Sequence, residues 1–186
     1  MYSKVKIFGH PVHPMLVAFP IALYTAAMVC YIVYNNNADM FWFKAGLAAN
    51  IAGVCMAVLA ALPGFIDWLN IPSDTKPKKT GVIHLVFNVL ALALFAINAA
   101  MLYNEWNDTT PQLYYALPLT IAGFVCTLVA GFMGWTLVQT HHVGVDELRD
   151  TIRTDREERM ASSELGQQPR WKAASGDSRT DTDQER

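Results

Sequence analysis

The sequence predicts an all-α fold, a membrane four-helix bundle with four transmembrane helices and both termini cytoplasmic. Three observations predict it. Four long runs, 15–34, 45–66, 82–103 and 112–140, contain no Lys, Arg, Asp or Glu. The chain is 53% hydrophobic and only 16% charged, a composition of the membrane class. The lysines are also distributed unevenly around the runs. At about 1.5 Å per residue, each run can cross a hydrocarbon core of roughly 30 Å as a helix. A soluble bundle would leave apolar surface on every side of each helix.

The spans are expected at about 15–34, 45–69, 82–103 and 113–140, inside a transmembrane domain of residues 1–145. The first follows Gly9-His10-Pro11-Val12-His13-Pro14, where two prolines fix backbone torsions and stiffen the entry to the helix. It is too long for a signal-peptide core and lacks a small-x-small cleavage site, so it is read as retained. In the second span Gly53, Ala57, Ala60 and Gly64 recur at helical spacing, and the next member of that series is Asp67. In the third, His84, Asn88, Ala91 and Asn98 share one face. The fourth repeats the small-residue stripe with Gly123, Thr127, Ala130 and Gly134, and its continuation reaches His141. Small residues let helices approach closely in lipid, and polar groups at membrane depth face the bundle interior.

Orientation follows from the cations. Lys4 and Lys6 precede the first span, Lys76, Lys78 and Lys79 follow the second, and eight Arg or Lys follow the fourth. The opposite face has Lys44 alone, beside Asp39, Glu105 and Asp108. The positive-inside rule therefore places both termini and the loop 70–81 in the cytoplasm, for a multi-pass protein of a bacterial plasma (inner) membrane. Trp42, Trp68, Trp106 and Trp135 lie near span ends, as interfacial aromatics do. Residues 146–186 form a charged cytoplasmic tail. Leu148 and Ile152 keep helical spacing at its start, and the stretch after Met160 is too polar to bury a core, so disorder is expected there.

Function classes narrow by absence. Cys30, Cys55 and Cys126 lie in separate spans with no CxxC pair, which argues against a thiolate metal or redox site. Gly-rich phosphate loops and nucleophile elbows are missing, no catalytic residues are assigned, and the reading leans away from an enzyme. No nucleic-acid partner is expected. The lipid bilayer is the one implied partner, with a redox or other membrane-complex partner as a further expectation.

Chemistry is hinted at only by the five histidines, which all fall on one membrane face when the spans are threaded. His13, His84 and His141 come from three different helices and are the candidate cofactor ligands. A metal set would add His10 and Asp67. The carboxylate could orient an imidazole by accepting its N–H. For His10 and His142 a plain polar cap at a helix end is the competing reading, and for Asp67 a loop anchor.

Taken in order, His10-Pro11-Val12-His13-Pro14-Met15-Leu16-Val17, Ala61-Leu62-Pro63-Gly64-Phe65-Ile66-Asp67-Trp68, Gly81 with His84 and Asn88, and Gly134 through His141 to Val145 resemble the bacterial membrane family catalogued as domain of unknown function 2231. The resemblance implies four spans with histidines at their ends. It also implies an association of some relatives with Rieske-type iron–sulfur proteins, which points toward electron transfer. Carried over by position, the family histidines are His10, His13, His84 and His141, with Asp67 as the matching acid. Where members usually show Gly-Gly and then Glu, this chain has Gly134-Trp135-Thr136, and His142 stands where Gly is common.

Two functions follow as expectations. One is a membrane protein with a cytoplasmic-side histidine cluster holding a single haem b or metal centre in electron transfer. The outer half has no histidine, so a second centre has no ligands. The alternative is a cofactor-free accessory or structural subunit whose histidines cap helix ends.

Overall fold

The computed structural model describes residues 5–8, 10–143 and 147–164. Two compact units divide the chain, Met1–Gly144 and Val145–Arg186. In the second unit a helix covers Glu147–Glu164. Disorder is expected after Met160, but the helix continues through residues 161–164; the rest of that stretch lies outside the described residues.

The first unit is an all-α four-helix membrane bundle. It opens with two two-residue strands, β1 (Lys6–Ile7) and β2 (His10–Pro11), paired antiparallel. A short helix, α1 (Val12–Leu16), then runs almost directly into α2 (Ala18–Asn37). Next come α3 (Met40–Leu69), α4 (Lys76–Tyr103) and α5 (Ala116–Gln139), and the helix of the second unit is α6. Four of these segments are long and apolar enough to cross a membrane, taking α1 and α2 as one span.

Local chemistry sets the ends. Asp39 accepts a hydrogen bond from the Phe41 N–H and caps α3, which starts it five residues before the charge-free run. Thr75 caps α4 by accepting from the Lys78 N–H, with Pro77 in the first turn, so the lysine-bearing turn is helical too. These caps satisfy N–H groups that have no intrahelical acceptor. α2 ends at Ala38, whose φ of 54° is left-handed. α5 stops at Gln139, and His142 takes φ 51°. That left-handed backbone favours glycine, which accounts physically for the Gly that the family resemblance expects at this position.

Only 22–33% of each span is buried inside the chain, so most of the apolar surface is left to lipid. α2 packs on α3, α4 on α5, and the two hairpins meet through α3 with α4 and α2 with α5. At one end of the bundle Tyr31, Phe43, Leu47, Leu102, Leu113 and Ala116 form the apolar core. Beside it lies a buried polar layer. Asn50 donates to the Asn98 side-chain oxygen at 3.1 Å, and Asn98 donates to Thr120 Oγ1 at 2.7 Å. This layer joins α3, α4 and α5 where lipid offers no alternative partner.

Candidate functional site

At the opposite end of the bundle, two of the five histidines meet. The rings of His13, on α1, and His84, on α4, have centroids 6.1 Å apart and planes at 89°. Each is docked in the same way. His13 Nδ1 lies 2.8 Å from the Ala60 carbonyl oxygen, and its ring fills the space over Gly64, where an added Cβ would stand 2.6 Å from Nδ1. His84 Nδ1 lies 2.8 Å from the Ala130 carbonyl oxygen, and its ring covers Gly134, where a Cβ would come within 3.0 Å. A carbonyl can only accept, so both rings carry their proton on Nδ1, which leaves the Nε2 lone pair as an acceptor; in His84 that acceptor faces the Asn88 amide. This is the arrangement in which a metal-bound histidine is held by its outer shell.

The matching environments are part of a larger repeat. Hairpin α1–α3 and hairpin α4–α5 carry the same residue pattern about 70 positions apart: Asn50, Gly53, Ala60 and Gly64 correspond to Thr120, Gly123, Ala130 and Gly134. His13 and Tyr24 correspond to His84 and Phe95, eleven residues apart in each case. The contacts repeat as well. Tyr24 covers Gly53 as Phe95 covers Gly123. Equivalent residues also face one another, since Tyr24 and Phe95 stack with centroids 3.6 Å apart, as His13 faces His84. Farther along, Tyr31 on Gly46 in the first hairpin is matched by Leu102 and Ala116 in the second, where a smaller side chain leaves room for the extra methyl.

The other sequence-predicted residues do not join the pair. His10 is exposed on β2. His141 lies past the end of α5, its Nε2 3.4 Å from Thr80 Oγ1. Asp67 is half-buried in the last turn of α3. His142 is half-buried in the segment after α5. Among the described residues no three of His, Cys, Asp and Glu converge as a metal-holding group, so the five-residue set is not assembled as one site. Asn88 was read from sequence as a bundle-facing polar residue, but the structure has it exposed, one turn beyond His84, with Nδ2 3.1 Å from His84 Nε2 and 2.8 Å from the His84 carbonyl oxygen. Nearby, Lys78 donates to the Trp68 carbonyl at 2.8 Å and lies 3.8 Å over its ring, while Gly81 makes room for that indole.

A family model described as "Predicted membrane protein (DUF2231)" matches residues 9–147. The chain belongs to this DUF2231 family. The match spans both hairpins, so the paired histidines and their glycine notches lie inside the family region. No curated protein and no solved structure matches the chain. This DUF2231 protein is an integral membrane protein, and the family description goes no further.

Proposed function

We propose that this protein carries electrons at one face of a bacterial plasma membrane through a single haem that His13 and His84 would hold. The observation that carries the reading is the histidine pair itself. Two imidazoles that shared one metal ion, at about 2 Å each, would have ring centres roughly 5 to 6 Å apart. The observed 6.1 Å is of that order. Among the described residues no third side chain joins the pair, so a group held there would bring its other ligands with it, as a tetrapyrrole does. When bound, the haem would supply a one-electron couple. The chain's own part is to fix both imidazoles as Nδ1–H tautomers on Ala60 and Ala130. The lysine distribution supports the cytoplasmic side for this end and for both termini. A soluble donor or a quinone would exchange electrons with it there.

The test is the absorption spectrum of the full chain, purified in detergent from haem-supplied cells, oxidised and then dithionite-reduced. The expected result is a Soret band that sharpens on reduction and is lost in both His13→Ala and His84→Ala, but retained in His10→Ala and His141→Ala. A featureless spectrum from folded protein would overturn the haem reading and leave the histidines as helix-docking struts of an accessory subunit.

A further inference from the structure

A hollow of about 510 Å³ opens at the bundle end opposite the histidine pair. Ala48, Ile51 and Ala52 line it from α3, and Tyr103, Trp106 and Asn107 line it from the end of α4 and the turn that follows. That turn is held by the Glu105 N–H on the Leu102 carbonyl and the Trp106 N–H on the Tyr103 carbonyl. Lys44 stands one helical turn before Ala48 on the same face of α3, with Nζ 5.4 Å from the centre of the Trp106 ring. From Lys44 to Ala52 the helix rises by about 12 Å, most of the roughly 15 Å of hydrocarbon in one leaflet. The hollow therefore has a cation and an indole at headgroup depth and an apolar floor beneath them. Its floor is low because positions 48 and 52 are alanines, whereas deeper exposed positions of α3 carry Val58, Leu59 and Leu62.

We propose that this hollow holds one acyl chain of a membrane glycerophospholipid with an ethanolamine headgroup, its phosphate on Lys44 and its ammonium toward Asp108. The site is independent of what the histidine pair holds. Acyl chains gain little by leaving lipid for protein, so the headgroup decides which lipid stays. Lys44 is the one cation in the two loops at this face and the turns beside them, against Asp39, Glu105 and Asp108. Three carboxylates around one lysine repel a headgroup of net negative charge and favour one that brings its own cation. Asp39 and Glu105 already accept backbone N–H groups, from Phe41 at 2.9 Å and from Gln112 at 2.7 Å. Asp108 directly follows Asn107 at the rim of the hollow. A primary ammonium offers three N–H donors to that carboxylate, and a trimethylated one offers none.

The test is native mass spectrometry of the full chain in detergent, titrated with phosphatidylethanolamine, phosphatidylglycerol or phosphatidylcholine carrying the same acyl chains. The expected result is one saturable adduct with phosphatidylethanolamine, held about tenfold tighter than either of the others. Ala52→Phe fills the hollow and is expected to remove the adduct. Lys44→Ala is expected to weaken it by about tenfold, and Asp108→Asn to erase the preference over phosphatidylglycerol. Lys44 and Ala52 are exposed on α3, and an unchanged helical circular dichroism spectrum verifies the fold of each variant. Equal binding of the three lipids would overturn the proposal, as would an adduct that survives both Ala52→Phe and Lys44→Ala. Displacement of the lipid by a short-chain ubiquinone would reassign the hollow to a quinone, and its loss on dimer formation would reassign it to a second copy of the chain. Either result would also overturn the proposal.

Discussion

The glycines under the two imidazoles are the residues on which the site geometry most depends. An alanine Cβ at Gly64 would stand 2.6 Å from the His13 ring, and one at Gly134 would stand 3.0 Å from the His84 ring. Neither substitution harms the helix, since alanine is the better helix former by about 1 kcal/mol. The expected effect is therefore confined to the site. Gly64→Ala pushes His13 off the Ala60 carbonyl and weakens haem retention by about tenfold, the scale of losing an outer-shell partner, with a smaller loss for Gly134→Ala. Haem titration of the apoprotein checks the order of the two. At this scale His13 and His84 were legible as candidates from their place at helix entries. The docking was not, because the acceptors are backbone carbonyls of Ala60 and Ala130, and no residue type advertises a carbonyl. The pairing also excludes His141 and His10 for a local reason. The left-handed backbone at His142 turns the chain just past His141, and the β1–β2 ladder holds His10 outside the bundle.

The helices themselves were largely readable, because charge-free runs and small-residue stripes report directly on lipid exposure and close packing. Their ends were not. α3 and α4 begin in polar turns capped by Asp39 and Thr75, and hydropathy alone assigns such turns to loops. The repeat between hairpins was visible in principle, since Gly53, Ala60 and Gly64 keep the same spacing as Gly123, Ala130 and Gly134. Recognising it needs the contacts that make the spacing meaningful. At the element scale the buried Asn50–Asn98–Thr120 layer joins the hairpins. Asn98→Leu removes the bonds to Asn50, Thr120 and the Ala116 carbonyl and is expected to lower stability by about 1–2 kcal/mol. An Asn50/Asn98 double-mutant cycle is expected to give a coupling of about 0.6 kcal/mol, the usual size for one interhelical hydrogen bond in a membrane. Unfolding in mixed micelles measures both. A coupling of zero would remove the layer from the account of hairpin pairing.

For the molecule as a whole, the membrane assignment rests on four apolar spans that bury only 22–33% of themselves. Its orientation rests on the lysines. A variant lacking Cys30, Cys55 and Cys126 and carrying Asn107→Cys is expected to react with an impermeant maleimide in intact cells, whereas one carrying Asp74→Cys reacts only after permeabilisation. The reverse pattern would put the histidine end on the outside. The site's place in the whole follows from the repeat. Two hairpins of like topology bring His13 and His84 together, and the stacked Tyr24 and Phe95 rings meet in the same way deeper in the bundle.

The measurement that tests the histidine pair most directly is the low-temperature electron paramagnetic resonance spectrum of the oxidised, haem-loaded protein. Two histidines that both held one ferric haem would make its iron low-spin, which this spectrum reads directly. The account predicts that signal in the wild type and its loss in both His13→Ala and His84→Ala. A purely high-spin signal in the wild type, or a low-spin signal that survives either substitution, would contradict it.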